Sequence, residues 1–179
     1  MKILLLPGNS VENRDWIREI TESLDDPFDE IITHEYDHWK KDRPAINFEL
    51  ELDHLQNKIS QTDEYVIFAK SAGCILALLA IEKEIIQANS MIFVAIPFAW
   101  SRAKQYPLGE YLANLSIPKL FIAKAKDFLC EFEKLNAYLQ KNDVKNFKTE
   151  LYDVKGEPND NHHYADTKVL KKMVLKFVK

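Results

Sequence analysis

The stretch from Tyr65 to Ile81 limits the fold more than any other part of the chain. Tyr65-Val66-Ile67-Phe68 is β-branched and aromatic, the composition of a short buried strand. Cys74-Ile75-Leu76-Ala77-Leu78-Leu79-Ala80-Ile81 is longer and rich in Leu and Ala, the composition of a buried helix. Only Ala69-Lys70-Ser71-Ala72-Gly73 lies between them. A strand must therefore turn sharply into a helix around one serine. Small residues two positions before and after it keep the neighbouring backbone clear.

The rest of the chain repeats this alternation. Ile3 to Leu6 is uniformly apolar, as suits the centre of a parallel sheet covered on both faces. Residues 11–24 put Trp16, Ile17, Ile20 and Leu24 on one helical face. Phe28 to Thr33 reads as a strand and His34 to Trp39 as a polar-aromatic loop kept irregular by Arg43-Pro44. Residues 48–60 read as a helix through Phe48, Leu52, Leu55 and Ile59. Tyr65 to Ala69 is the next strand, and 72–88 the helix after it. Met91 to Ile96 is a strand broken by Pro97, and 97–116 a short lid-like insertion. Lys119 to Ala123 is a strand, 129–142 a helix, and Lys148 to Val154 an edge strand. Gly156 to Asn161 is a loop, His162-His163-Tyr164 closes it, and 166–178 is the last helix. The expectation is one α/β domain over 1–179. Its doubly wound, mostly parallel sheet has about six strands, with helices on both faces. In such a sheet ligands bind beyond the carboxyl ends of the strands. Asn9, Ser71, Asp127 and the His162 loop all fall there.

Composition narrows the partners. The chain has 179 residues, 46% of them hydrophobic, and a formal net charge of −4. That balance favours neither nucleic acid nor an anionic membrane surface. The longest apolar run is far short of the roughly 20 residues of a membrane span, and the N-terminal apolar stretch lacks the form of a signal peptide. Cys74 and Cys130, both expected inside helices, have no metal-type spacing. They read as reduced thiols of a cytoplasmic protein.

The strand-turn-helix around Ser71 is the context of a nucleophile elbow, G-x-S-x-G, with Ala69 at the first glycine. A serine needs a base to take its proton. His162 and His163 are the candidates. His162-His163-Tyr164 fits a histidine followed by any residue and an aromatic, which favours His162; His163 is the alternative. Asp127, directly after a strand, would hold the histidine tautomer, with Asp153 and Asp160 as weaker choices. Backbone N–H groups of Asn9 and Ala72 would form the oxyanion hole. Each has a plainer reading: Ser71 and Asp127 as helix caps, Gly8-Asn9 as a tight turn.

With Leu6-Pro7-Gly8-Asn9, Ala69-Lys70-Ser71-Ala72-Gly73, Asp127 and His162 or His163 in this order, the chain resembles the α/β-hydrolase superfamily over essentially its full length. It is most similar to small, nearly capless members such as the retinoblastoma-binding serine hydrolases. Pro7-Gly8 stands where many members have His-Gly. The resemblance implies a serine hydrolase that cleaves a small ester, thioester or amide through an acyl-enzyme, without cofactor or metal. Trp100, Phe98 and Tyr106 are candidates for an apolar acyl pocket, and His38 for its border. His34, Asp37 and His38 lack a zinc frame, and Lys70 reads as a solvated or salt-bridged side chain. Rival readings are a non-catalytic binding protein on the same fold, an acyltransferase, and a flavodoxin-like nucleotide-binding domain.

Overall fold

The computed structural model describes residues 1–24, 26–40 and 45–179, so the expected irregularity at Arg43-Pro44 lies outside the described residues. Six parallel strands form one sheet: β1 (Lys2–Leu6), β2 (Glu30–Thr33), β3 (Glu64–Lys70), β4 (Gln87–Val94), β5 (Lys119–Ala123) and β6 (Phe147–Leu151), in the order β2-β1-β3-β4-β5-β6. The helices are α1 (Asn13–Ser23), α2 (Phe48–Lys58), α3 (Ala72–Glu82), α4 (Phe98–Ala103), α5 (Leu108–Asn114), α6 (Phe132–Lys141) and α7 (Thr167–Val178), with a 3-10 turn at Asp37–Trp39.

The sequence winds outward from β1 to β2, returns past β1 to β3, and then runs outward through β6. Right-handed crossovers put α1 and α7 together on one face, while α2, α3 and α5 pack together on the other. The winding reverses between β1 and β3, where a ligand crevice opens at the carboxyl ends. β1 pairs with β3 from Lys2↔Tyr65 to Leu6↔Ala69, which sets the loop after β1 beside the turn at Ser71. β3 and β5 bury Tyr65 to Ala69 and Leu120 to Ala123 almost completely.

Several boundaries differ from the sequence expectation, most of all around α3, β4 and α6. α3 ends at Glu82 rather than 88: Glu84 takes a positive φ of 57°, and the Ile85 N–H turns back to the carbonyl of Ala80 at 2.8 Å. β4 therefore begins at Gln87, four positions before Met91, and ends before Ala95, whose φ is 52°. Its first residues, Gln-Ala-Asn-Ser, have low strand propensity, and the register slips there, with Tyr65 opposite Ala88 but Val66 opposite Ser90. α6 starts at Phe132, so Cys130 sits in the turn before it, while Cys74 lies within α3; both thiols are free and buried. Among the described residues no helix is long and apolar enough to cross a membrane.

Candidate active site

Ser71 is the pivot between β3 and α3, and its backbone is strained, with φ 50° and ψ −118°. A non-glycine residue holds such a conformation only where the surroundings over-determine it. Here the Ser71 N–H donates to the Val94 carbonyl at 3.0 Å, and the Ser71 carbonyl accepts from the Cys74 N–H at 2.9 Å. Gly73 shows why the following positions must be small. A Cβ there would lie 2.1 Å from the carbonyl oxygen of Leu6 and 2.5 Å from that of Pro7. The elbow and the loop after β1 are in direct contact.

That loop is held from behind. The Asn9 carbonyl accepts from His38 Nε2 at 2.7 Å and from Trp39 Nε1 at 2.9 Å, while Asn9 Oδ1 accepts from the Ile46 N–H at 2.7 Å. Tyr36, fully buried, donates to the Pro7 carbonyl at 2.5 Å. Among the described residues no hydrogen bond engages the N–H of Asn9 or of Ala72. His38 does not border the cavity as expected from the sequence; it is buried behind Asn9.

A further layer supports the 3-10 turn. Glu51, buried in α2, accepts from His34 Nε2 at 2.8 Å and from the Asp37 N–H at 2.9 Å. Burial lowers the His34 pKa, so a neutral ring donates Nε2–H to the carboxylate. Burial alone would raise Glu51, but the His34 and Asp37 donors outweigh it and keep the carboxyl ionised.

On the other side of the crevice, Asp127 is fully buried four residues beyond β5. Its carboxylate accepts from His162 Nδ1 at 2.8 and 3.0 Å, from the Leu129 N–H at 2.9 Å and from Tyr164 Oη at 2.9 Å. Desolvation pushes its pKa up, but these donors outweigh burial and leave it lowered. With Nδ1–H committed to Asp127, His162 Nε2 is the acceptor nitrogen; it is buried and has no hydrogen-bond partner. No hydrogen bond joins it to Ser71 Oγ in this structure. His163, next in the chain, is exposed, and its backbone N–H donates to Asn161 Oδ1 at 3.1 Å.

The histidine loop is stapled by Lys124, a residue the sequence reading passes over. Its buried ammonium donates to the Pro158 carbonyl at 2.8 Å and Asn161 Oδ1 at 2.9 Å, and pairs with Glu157 at 3.3 Å. The Lys124 N–H donates to Tyr164 Oη at 3.1 Å, and Trp16 Nε1 to the Tyr164 carbonyl at 2.6 Å.

Two cavities meet this arrangement. One, about 510 Å³, is lined by Ser71, Ala72 and Asn9 together with Ile46, Phe48, Trp100, Tyr106 and Leu129. Phe48, Trp100 and Tyr106 form one cluster, with ring centroids 5.8–6.4 Å apart. Phe98 turns away from it and stacks on Tyr138 at 5.4 Å. The other cavity, about 310 Å³, lies along Ser10, Asn13, Trp16, Lys70, His162 and His163. Lys70 is not an exposed surface residue: it is 5% exposed, Nζ donates to Asn13 Oδ1 at 2.6 Å, and among the described residues it has no salt bridge.

No protein-family profile and no curated protein matches this sequence. Solved structures do match it. A lipase-esterase related protein from Clostridium acetobutylicum superposes with a TM-score of 0.66 at 10% identity, over 98% of this chain and 93% of that one. A putative YdeN-like hydrolase from Pectobacterium atrosepticum gives 0.65 at 14%, over 98% and 89%. Est1E from Butyrivibrio proteoclasticus, solved with ferulic acid bound, gives 0.64 at 15%, over 99% and 89%. The chain has the α/β-hydrolase fold.

Proposed function

We propose that the chain is a serine hydrolase that cleaves a small ester, thioester or amide through an acyl-enzyme on Ser71. The observation that carries this reading is the state of His162. Its Nδ1–H is committed to a buried carboxylate, and its Nε2, the nitrogen able to take a proton, is buried without a partner. A buried polar atom with no partner is costly unless a reacting group satisfies it. In apo structures the nucleophile–base hydrogen bond is often long and tightens only with substrate.

In this mechanism Ser71 Oγ attacks the acyl carbon as His162 Nε2 takes its proton. The oxyanion is held by the unengaged N–H groups of Asn9 and Ala72. His162 then delivers the proton to the leaving atom. Water repeats the sequence to free the acid. Asp127 keeps the ring in the Nδ1–H tautomer and stabilises the imidazolium without taking a proton itself. The aromatic cavity takes the acyl group, and residues 97–116 act as a short lid over it. Its size and apolar lining support a small acyl chain or ring.

A fluorophosphonate probe tests this. Labelling of the wild-type protein and none of Ser71→Ala is expected. Folded wild-type protein that stays unlabelled at neutral pH overturns the enzyme reading in favour of a binding protein on the same fold.

A further inference from the structure

We propose that the 310 Å³ cavity beside His162 is a leaving-group subsite for a carboxylate, held by Lys70. The proposal rests on the hydrolase reading for its chemistry but on separate residues for its specificity.

Among the described residues three lysines are buried, and Lys70 has the fewest acceptors of them. Lys124 has a carboxylate and two further oxygens. Lys119 donates to the carbonyls of Leu115 and Ile117 at 2.6 and 2.9 Å. Lys70 differs. Its ammonium has one acceptor, Asn13 Oδ1, and lies 4.8 Å from the centroid of the Trp16 ring. Among the described residues no carboxylate forms an ion pair with it. The nearby Asp127 carboxylate is taken up by His162, Leu129 and Tyr164. An ammonium has three donors, and a buried charge without a counter-ion is unfavourable. Burial lowers the Lys70 pKa to about 8, which leaves it mostly protonated at neutral pH.

The unbalanced cation lines a cavity rather than packed core, and His162 lines the same cavity. An anion entering there would supply the missing charge. A single ammonium balances a monoanion, and the exposed Glu12 carboxylate at the rim adds negative charge. Both facts favour a carboxylate over a phosphate dianion. The location gives it a role. When the tetrahedral adduct collapses, the bond from the acyl carbon to the leaving oxygen or nitrogen breaks. Its electron pair stays on that atom, and His162 Nε2–H supplies the proton. The departing group leaves on the His162 side. The substrate class is thus an ester or amide of a small hydroxy- or amino-carboxylic acid.

The test compares two butyrate esters, one of propanol and one of 3-hydroxypropanoate. Wild-type kcat/KM should favour the carboxylate ester by about tenfold or more, the range of a charge-assisted hydrogen bond. Lys70→Met should bring the ratio near one. Glu12→Gln, an exposed change that the fold tolerates, should raise the ratio by about twofold; it decides the matter if Lys70→Met does not fold. A fluorophosphonate-labelled wild-type enzyme whose ratio moves in neither variant overturns the subsite and leaves the hydrolase reading standing. If the wild type is not labelled, calorimetry with 3-hydroxypropanoate decides. Binding lost in Lys70→Met, or tightened in Glu12→Gln, supports the subsite; no binding to wild-type protein ends it.

Discussion

His38 Nε2 donates to the carbonyl oxygen of Asn9 across 2.7 Å, and so holds the Asn9–Ser10 peptide, which follows the peptide carrying the Asn9 N–H. Trp39 Nε1 shares that carbonyl at 2.9 Å. Loss of one donor should loosen the Asn9 N–H without removing it. His38→Phe is therefore expected to lower kcat about tenfold with little change in KM, below the 10²–10³ lost when an oxyanion donor itself is deleted. Adding Trp39→Phe should bring the loss to about a hundredfold. Steady-state kinetics on a neutral ester distinguishes this from a folding defect, which would reduce active-site labelling and leave turnover per labelled site unchanged.

Gly73 presses on the loop after β1. A methyl at that position would sit 2.1 Å from Leu6 O, a strand backbone atom that cannot move aside. Gly73→Ala should cost at least about 3 kcal/mol, in the range of severe overpacking, and displace the Asn9 loop. Urea unfolding reads the first effect. Loss of fluorophosphonate labelling in whatever protein remains folded reads the second.

Tyr164→Phe removes one hydroxyl that serves two partners, accepting from the Lys124 N–H and donating to Asp127 Oδ2. Two buried groups are left short of a partner, so about 1–3 kcal/mol of stability should disappear. Asp127 loses a donor that favours its ionised form, which raises its pKa. A lowered carboxyl pKa stabilises the fold above the unfolded value, 3.8 for Asp127, and that stability is lost as pH falls through the folded value. The variant should therefore show a smaller gap between its stability at pH 7 and at pH 3.5 than wild type, measured by urea midpoints.

The His34–Glu51 pair predicts acid sensitivity at milder pH. The folded-state pKa of His34 lies below its ordinary 6.5, so the unfolded chain binds the proton first. Stability from this residue is complete above pH 6.5 and falls as pH drops below it, by at most about 1.4 kcal/mol per pH unit. Glu51, lowered from 4.5, adds a second loss further down. His34→Gln keeps a donor for Glu51 but cannot titrate. Its unfolding midpoint should vary less between pH 7 and 5.5 than that of wild type, and an unchanged pH dependence would refute the assignment.

Much of this architecture is written locally. Ile3–Leu6, Tyr65–Ala69 and Leu120–Ala123 are continuous apolar runs, and a strand buried on both faces needs nothing else. Gln87–Ser90 was harder to read, because its residues suit a turn and are strand only through pairing with β3. Ser71, Asp127 and the paired histidines are legible because a strand-to-helix turn and the chain order are local patterns. Which histidine meets Asp127 is not: the Lys124 staple, 37 residues before Asn161 in the chain, sets the loop that decides it. Lys70 reads as solvated or salt-bridged, His38 as a residue at the cavity border, and Glu51 carries no signal at all, since burial of a charge is decided by distant segments and leaves no mark on its neighbours.

The staple has a consequence for how this site can change. Lys124 and Asp127 leave the same strand three residues apart. One grips the loop that carries His162, and the other grips the ring. Asp127 and His162 are thus both registered to the end of β5, and a shift of that strand carries them together. Variation in the sheet beyond it, or in the exposed parts of the loop, can accumulate without putting the pair out of alignment. The alignment that stays open to change is between this unit and the elbow on β3, two strands away. That makes β4, lying between them, the spacer on which mutations would tune the reach from His162 to Ser71.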